Sequence, residues 1–445
     1  MKLWQKDKDS LKEVERFTIG RDPEFDIILA PFDVLGSMAH AMMLKEINLL
    51  TEEELNLLLQ GLREIYFEIE KGEFAIAEGV EDVHSQVEFL LTQRHGDVGK
   101  KLHSGRSRND QVLVDLKLFY RSAIRDIVEA SQELFDLLIR LSEKHKNDLM
   151  PGYTHTQLAM PSSFGLWFGS FAESLAEDMD LLQAAYKLSN KNPLGSAAGY
   201  GSSFPLNRTL TTELLGFEDL HHNVINAQNS RGKTERNLAF AISGLAGTLN
   251  KLAADVCIFM NQHFGFISFP DELTTGSSIM PHKKNPDIFE LIRGKTNQLQ
   301  SLPGQVNLLL TNLTTGYHRD LQLLKEPIFP GITSLLDCID ISIFALKEIK
   351  VRKNILQDPF YKHVFSVEVV NEMVLQGMPF RDAYKKIGLD IEKDDFQPNQ
   401  SQVNHTHEGS IGNLCTEEIK SKMDKSVRGF DFEKTTSSLI KLIQG

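Results

Sequence analysis

Cysteine is scarce in this chain of 445 residues: Cys257, Cys338 and Cys415 are odd in number and far apart. They build neither a disulfide framework nor a paired-cysteine zinc site, and they point to a reducing compartment. An excess of basic charge is also missing. Lysine and arginine total 48 against 61 acidic residues, a net charge of −13 with histidine neutral. That balance argues against a general nucleic-acid or membrane-surface binder, so no nucleic-acid and no membrane partner is expected. The first residues, MKLWQKDKDSLKEVERF, have no apolar run of the kind a secretory leader needs. The longest stretch free of Asp, Glu, Lys and Arg spans residues 149–172, and its two prolines, His155 and hydroxyl residues suit a bilayer poorly. A soluble, cytoplasmic protein is expected. Among catalytic motifs, GxSxG, HExxH and paired CxxC are all absent, which removes the usual support for hydrolase and zinc chemistry.

Glycine and proline are absent from residues 111–150 as well, and there the apolar residues Val112, Leu116, Phe119, Ala123, Ile127, Leu134, Leu138 and Leu141 recur at helical spacing. About forty residues of helix make a rod of roughly 60 Å, longer than one compact domain is wide. Asn109 or Asp110 can cap its start, and Pro151-Gly152 stops it. Further helical runs are predicted over 161–188, 234–263, 286–313 (interrupted at Pro303-Gly304) and 335–349, with few strand patterns competing. The fold class is mainly all-α. Residues 1–105 read as short helices and loops, 106–355 as a central long-helix bundle, and 356–445 as a small helical region with a polar tail. Long helices seldom hide all their apolar faces in one copy, so a homo-oligomer is expected.

Several local patterns have bland readings. AQNSRGKT (227–234) matches a permissive phosphate-loop pattern, but no strand precedes it and no strand-helix alternation surrounds it. NPLGSAAGYGSSFP (192–205) reads as a close-packed turn rather than a dinucleotide loop. His405 with His407, and His221 with His222, read as ordinary histidines rather than metal ligands. No metal site is expected.

The strongest signal is GSSIMPHKKNPD, residues 276–287. Asn285 reads as a helix cap, Pro286 as the first helical residue and Asp287 as a first-turn acid. No acidic residue occurs between Thr274 and Asn285, while Lys283 and Lys284 do. Exposed donors, two lysines and a helix N-terminus can make an anion site; a solvated basic turn is the equal alternative on residue chemistry alone.

GSSxMPxKxNP is the signature of the fumarase/aspartase superfamily, which the chain resembles. HSGRSRNDQV (103–112), MPGYTHTQ (150–157) and GYHRDLQLLKE (316–326) narrow the resemblance to the argininosuccinate lyase family within it. GVEDVHSQVE (79–88), NPLGSAAG and GMPFRDAYKKIG (377–388) follow the same family, so the likeness spans about residues 15 to 415. It implies a three-domain fold whose central bundles form a 20-helix core in a homotetramer. The implied reaction is a reversible anti β-elimination of argininosuccinate to arginine and fumarate, in arginine biosynthesis, without metal or organic cofactor.

The resemblance also implies roles. Ser277 would be the general base, ionised beside Lys283 and loop amides, with Gly276 as a hinge for loop closure. His155 would be, or hold, the acid, oriented by Glu290. Arg108, Asn109, Thr154, Lys283 and Asn285 would bind the succinyl carboxylates. Tyr317, Gln322 and Lys325 would grip the arginine end, with His84 near the substrate. These segments would meet where three subunits join. Two places depart from the family: before DVLGS (33–37) either Asp22 stands where a substrate-contacting serine is expected or the loop is shifted, and the 222–236 loop carries Arg231, Lys233 and Arg236. The second departure points to a modified arginine end, such as an acylated α-amino group. Another fumarate-releasing lyase, acting on such a substrate or on adenylosuccinate, a silent helical scaffold and a phosphate-loop ATPase are the alternatives.

Overall fold

The computed structural model describes residues 12–77, 79–400 and 403–445; the charged N-terminal stretch through residue 11, read above against a leader, lies outside them. The helix predicted over 111–150 runs Arg108–Lys144, 37 residues or roughly 55 Å. Its cap is Ser107, not Asn109 or Asp110. Ser107 Oγ accepts the Asn109 N–H at 3.3 Å, and Asp110 Oδ1 accepts the Ser107 N–H at 2.9 Å, a reciprocal pair that fixes the start of the helix. The other Asp110 oxygen accepts the N–H groups of Gly195 and Ala197 at 2.9 Å each. That contact anchors the glycine-rich turn after Asn192 on the head of the helix.

The far end of this helix departs from expectation. Leu149–Thr154 and Gln157–Ser163 form an antiparallel hairpin, where a helix was predicted from residue 161. Pro151, Gly152 and Pro161 disfavour a helix, whereas both strands of a two-stranded pair are edges and tolerate proline. Ser163 then caps Phe164–Ser189 by accepting the Leu166 N–H at 3.0 Å.

Lys233–Phe259, the broken pair Asp287–Leu299 and Leu302–Leu309, and Lys325–Lys347 complete the bundle around one hydrophobic core. The last helix starts ten residues before its predicted beginning, because Pro327 falls in its first turn and Pro330 is accommodated inside it. The N-terminal region is also more helical than its prolines and glycines suggested. Asp22–Glu46 is a 25-residue helix that contains Pro31, and Glu52–Glu70 carries a Thr51/Glu54 capping box. Among the described residues three helices are long and apolar enough to cross a membrane by length and composition; the first of these, Asp22–Glu46, buries most of its residues inside the fold.

Cross-links set the direction of the bundle. Lys117 Nζ lies 3.3 Å from Thr234 Oγ1, and the Phe119 and Phe329 rings pack at a tilt with centroids 4.5 Å apart, so the starts of three helices gather near the head of the long one. Trp167 Nε1 donates to Asp255 at 3.0 Å and Tyr153 contacts Phe264 at 5.4 Å, which places the hairpin and the 260–286 segment at the opposite end. Beyond the bundle, Ser366–Leu375 and Phe380–Glu392 share a small core of Val370, Ala383, Ile387 and Phe396. The helices Thr416–Arg428 and Phe432–Gln444 return to the main body, where Phe430 and Phe432 flank Tyr186.

Candidate active site

At the head of the long helix a cleft of about 230 Å³ collects six of the expected binding residues: His84, Arg108, Asn109, Tyr317, Gln322 and Lys325. Within this chain most of their polar groups already have partners. Arg108, in the first turn, donates to Glu81 Oε2 and to Ser85 Oγ at 2.7 Å each, with Asp82 3.3 Å from its Nε. Burial works against its charge, but Asp82 and Glu81 hold its pKa above the ordinary value.

His84 is buried, with Nδ1 2.8 Å from Asp33 Oδ1 and 3.6 Å from Asp115 Oδ2. Burial would lower its pKa, yet Asp33, Asp115 and Asp82 together raise it to about 10, so the ring is a fixed imidazolium at neutral pH. Ligand atoms of Asp33, His84 and Asp115 lie within 4.8 Å of one another, but Nδ1 is spent on Asp33, and the group reads as an ion-pair cluster.

Lys325, only 3 % exposed, pairs with Asp22 Oδ1 at 2.5 Å and Asp26 Oδ1 at 2.7 Å. Gln322 Nε2 donates to the carbonyls of Thr18 and Ile19 at 3.2 and 3.1 Å, and Arg319 also donates to Thr18. Residues 18–26 therefore occupy two of the three side chains assigned to the arginine end, Gln322 and Lys325. Asp22, one reading of the place where the sequence resemblance implies a serine, binds Lys325, which a serine hydroxyl could do only weakly. Burial raises the Asp22 carboxyl pKa despite that lysine.

The remaining candidates lie at the other end of the bundle. Residues 275–285 form a loop closed at its base by a Thr275–Asn285 bridge, with Asn285 N–H donating to the Thr275 carbonyl at 2.9 Å. Asn285 is thus a loop clasp and not the helix cap expected of it; Pro286 holds the cap position and the helix starts at Asp287. Inside the loop, the Ser277 hydroxyl oxygen accepts the N–H groups of Ile279 at 3.3 Å and Met280 at 3.1 Å. Lys284 is paired with Asp271, whereas exposed Lys283 makes no ion pair among the described residues.

Thr154 pairs with Gln157 across the hairpin, and His155 and Thr156 are its two-residue tip, at φ +52° and +62°. Both central residues of such a tight turn need positive φ, a role usually given to Asn-Gly. His155 is exposed, and its ring has no hydrogen-bond partner among the described residues. Glu290 is 3.9 Å from Arg293, so the expected carboxylate–imidazole pair is not made within one chain.

The two groups are on the order of 40 Å apart, judged from the 27 residues of Lys233–Phe259 that separate their levels. Sequence reasoning missed Asp26, Glu81, Arg319 and Asp115 as neighbours of the first group. Glu81 and Arg319 lie inside quoted motifs, but nothing local marks Asp26 or Asp115. Residues 227–234 run from the end of the short helix Val224–Asn229 into the start of Lys233–Phe259, and among the described residues strands occur only in two-stranded pairs, so the sheet that a nucleotide loop needs is missing.

A family model described as Lyase matches residues 6–301. The chain is 63% identical to the argininosuccinate lyase of Bacteroides fragilis over 97% of this chain and 96% of that one. It is 60% identical to the argininosuccinate lyase of Parabacteroides distasonis over 100% and 99%. Among solved structures, EDDS lyase in complex with formate superposes with a TM-score of 0.75 at 20% identity, covering 98% of this chain and 95% of that one; at that identity the likeness is one of fold.

Proposed function

This chain belongs to the argininosuccinate lyase family, and on that premise we propose that Ser277 is the base of an elimination whose site is completed only when copies of the chain bring their opposite ends together. The observation that carries this reading is the pair of backbone N–H groups on the Ser277 hydroxyl oxygen. A serine hydroxyl is a base only as the alkoxide, and donors already aimed at its oxygen, with Lys283, which has no ion pair among the described residues, on the same loop, stabilise that charge.

In the proposed reaction the alkoxide takes a proton from the succinyl carbon beside a carboxylate. The C–H electron pair becomes the fumarate double bond, and the C–N pair leaves with the guanidinium nitrogen of arginine. That nitrogen is protonated from the His155 side, on the face opposite the base. Arg108 and Asn109, with Thr154, Lys283 and Asn285 from other copies, hold the succinyl carboxylates; Tyr317, Gln322 and Lys325 hold the arginine end. Glu290 orients His155 across a subunit boundary.

Assembly as a homotetramer is part of the proposal. Its support is the roughly 40 Å between the two half-sites, together with exposed apolar side chains on bundle helices, among them Leu291, Leu308 and Phe344. The three cysteines, all free, suit a cytoplasmic enzyme. The direct test follows fumarate absorbance after argininosuccinate is mixed with the protein and with its Ser277→Ala variant. Fumarate release by the wild type alone supports the assignment; equal rates would refute it.

A further inference from the structure

The 222–236 loop, which departs from the family pattern, lines a second cleft of about 340 Å³. One wall is the start of the Lys233–Phe259 helix, with Asn229, Lys233 and Arg236; the facing wall is Thr314, Thr315 and His318. No aspartate or glutamate lines it among the described residues, although the chain as a whole carries −13. The neighbouring substrate cleft, by contrast, is lined by Asp22, Asp26, Glu81 and Asp82.

Of the three lysine and arginine side chains lining this cleft, two are without an ion pair among the described residues. Arg231 is buried, donates to the Leu321 carbonyl at 3.0 Å and has Glu235 3.3 Å from its Nε, so its charge is answered from within. Glu235 is itself turned inward, accepting the Gly232 N–H at 2.6 Å. Lys233 and Arg236 make no ion pair among the described residues and border the open space. Gly232, at φ +80°, lets Leu310 close the floor; a Cβ there would lie 2.2 Å from Leu310 Cδ2. Two cations, threonine hydroxyls and an apolar floor together are the chemistry of a compact anion site.

This cleft also shares a wall with the first. Along one short segment, Gly316, His318 and Leu321 line the basic cleft, while Tyr317, Arg319 and Gln322 line the substrate cleft. We propose that the basic cleft binds a compact dianion, a phosphate or a dicarboxylate group, and that its occupation sets the 316–322 segment that presents Tyr317 and Gln322 to the substrate. The coupling rests on the proposed lyase reading; the binding does not. The anion is either free in solution or borne by the substrate's amino end.

Equilibrium dialysis of the full-length protein with inorganic phosphate and with succinate, against chloride of matched ionic strength, tests the site without turnover. Saturable binding of one of them is expected, weakened about tenfold or more in Lys233→Ala/Arg236→Ala and unchanged in Lys251→Ala, which removes a charge from the same helix outside the cleft. Absence of saturable binding, or equal binding by all three proteins, overturns the site. Kinetics with argininosuccinate then separate the sources. A KM that rises competitively with the anion, in wild type and not in the double variant, assigns the cleft to a substrate-borne group. A KM that falls assigns it to a free effector. A KM unmoved at saturating anion, or moved equally in the double variant, overturns the coupling.

Discussion

Lys325 Nζ lies 2.5 Å from Asp22 Oδ1 in a place where the lysine is only 3 % exposed, so a residue expected to hold substrate is held by the N-terminal segment. Asp26 shares the same ammonium at 2.7 Å. Removing the lysine leaves two carboxylates facing each other with little water, and breaking a buried pair from one side costs about 3–5 kcal/mol. Lys325→Met is therefore expected to lower unfolding free energy by about 3 kcal/mol and to raise KM for argininosuccinate. Urea denaturation beside steady-state kinetics checks both, and unchanged stability would refute the buried network.

The His84–Asp33 pair makes stability depend on pH in a definite direction. Its imidazolium has a pKa raised from 6.5 to about 10 in the fold. Such a group stabilises the fold fully below pH 6.5, and the contribution is lost as pH rises through 10. Asp33→Asn removes the nearest carboxylate charge and should move that alkaline loss to lower pH. Urea midpoints measured from pH 6 to pH 11 on both proteins provide the check; parallel curves would contradict it.

Much of this was legible in advance, for physical reasons that also mark the limit. A forty-residue stretch free of glycine and proline has little choice but helix, and the Arg108–Lys144 rod follows. The hairpin after it was hidden because Pro151, Gly152 and Pro161 announce where a helix fails, not what replaces it. The Asp22–Glu46 helix was hidden by Pro31, which the packing of that helix tolerates. For the site, motifs pick out residues but carry no distances. That Arg108 is met by Glu81, Asp82 and Ser85, or that Gln322 is bound to Thr18 and Ile19, depends on contacts between segments far apart in the chain. The separation of the two half-sites is a consequence of helix length that no motif contains.

The tip of the hairpin offers a clean separation of chemistry from folding. His155 and Thr156 both sit in the left-handed region, which costs most side chains about 1–2 kcal/mol per residue. Asparagine tolerates that conformation well. His155→Asn should therefore keep or slightly raise thermal stability while lowering turnover by about 10²–10⁴, the usual contribution of a positioned acid. Differential scanning calorimetry and fumarate release, run on one preparation, decide it; full turnover in the variant would remove His155 from the mechanism.

Complementation between variants tests the assembly most directly. Ser277 belongs to the loop at one end of the bundle, and Tyr317, which is 42 % exposed, to the cleft at the other. Each substitution to alanine should inactivate a uniform oligomer by orders of magnitude. If every site takes its base from one copy and its arginine-end contacts from another, a mixed oligomer contains some sites in which both halves are wild type. Dissociating Ser277→Ala and Tyr317→Ala together in mild urea and reassembling them should restore activity far above either parent treated alone. A site built within one chain has no such combination, since every chain in the mixture carries a defect. Activity of the mixture equal to that of the parents would therefore place both halves in one copy, and the shared-site proposal would fail.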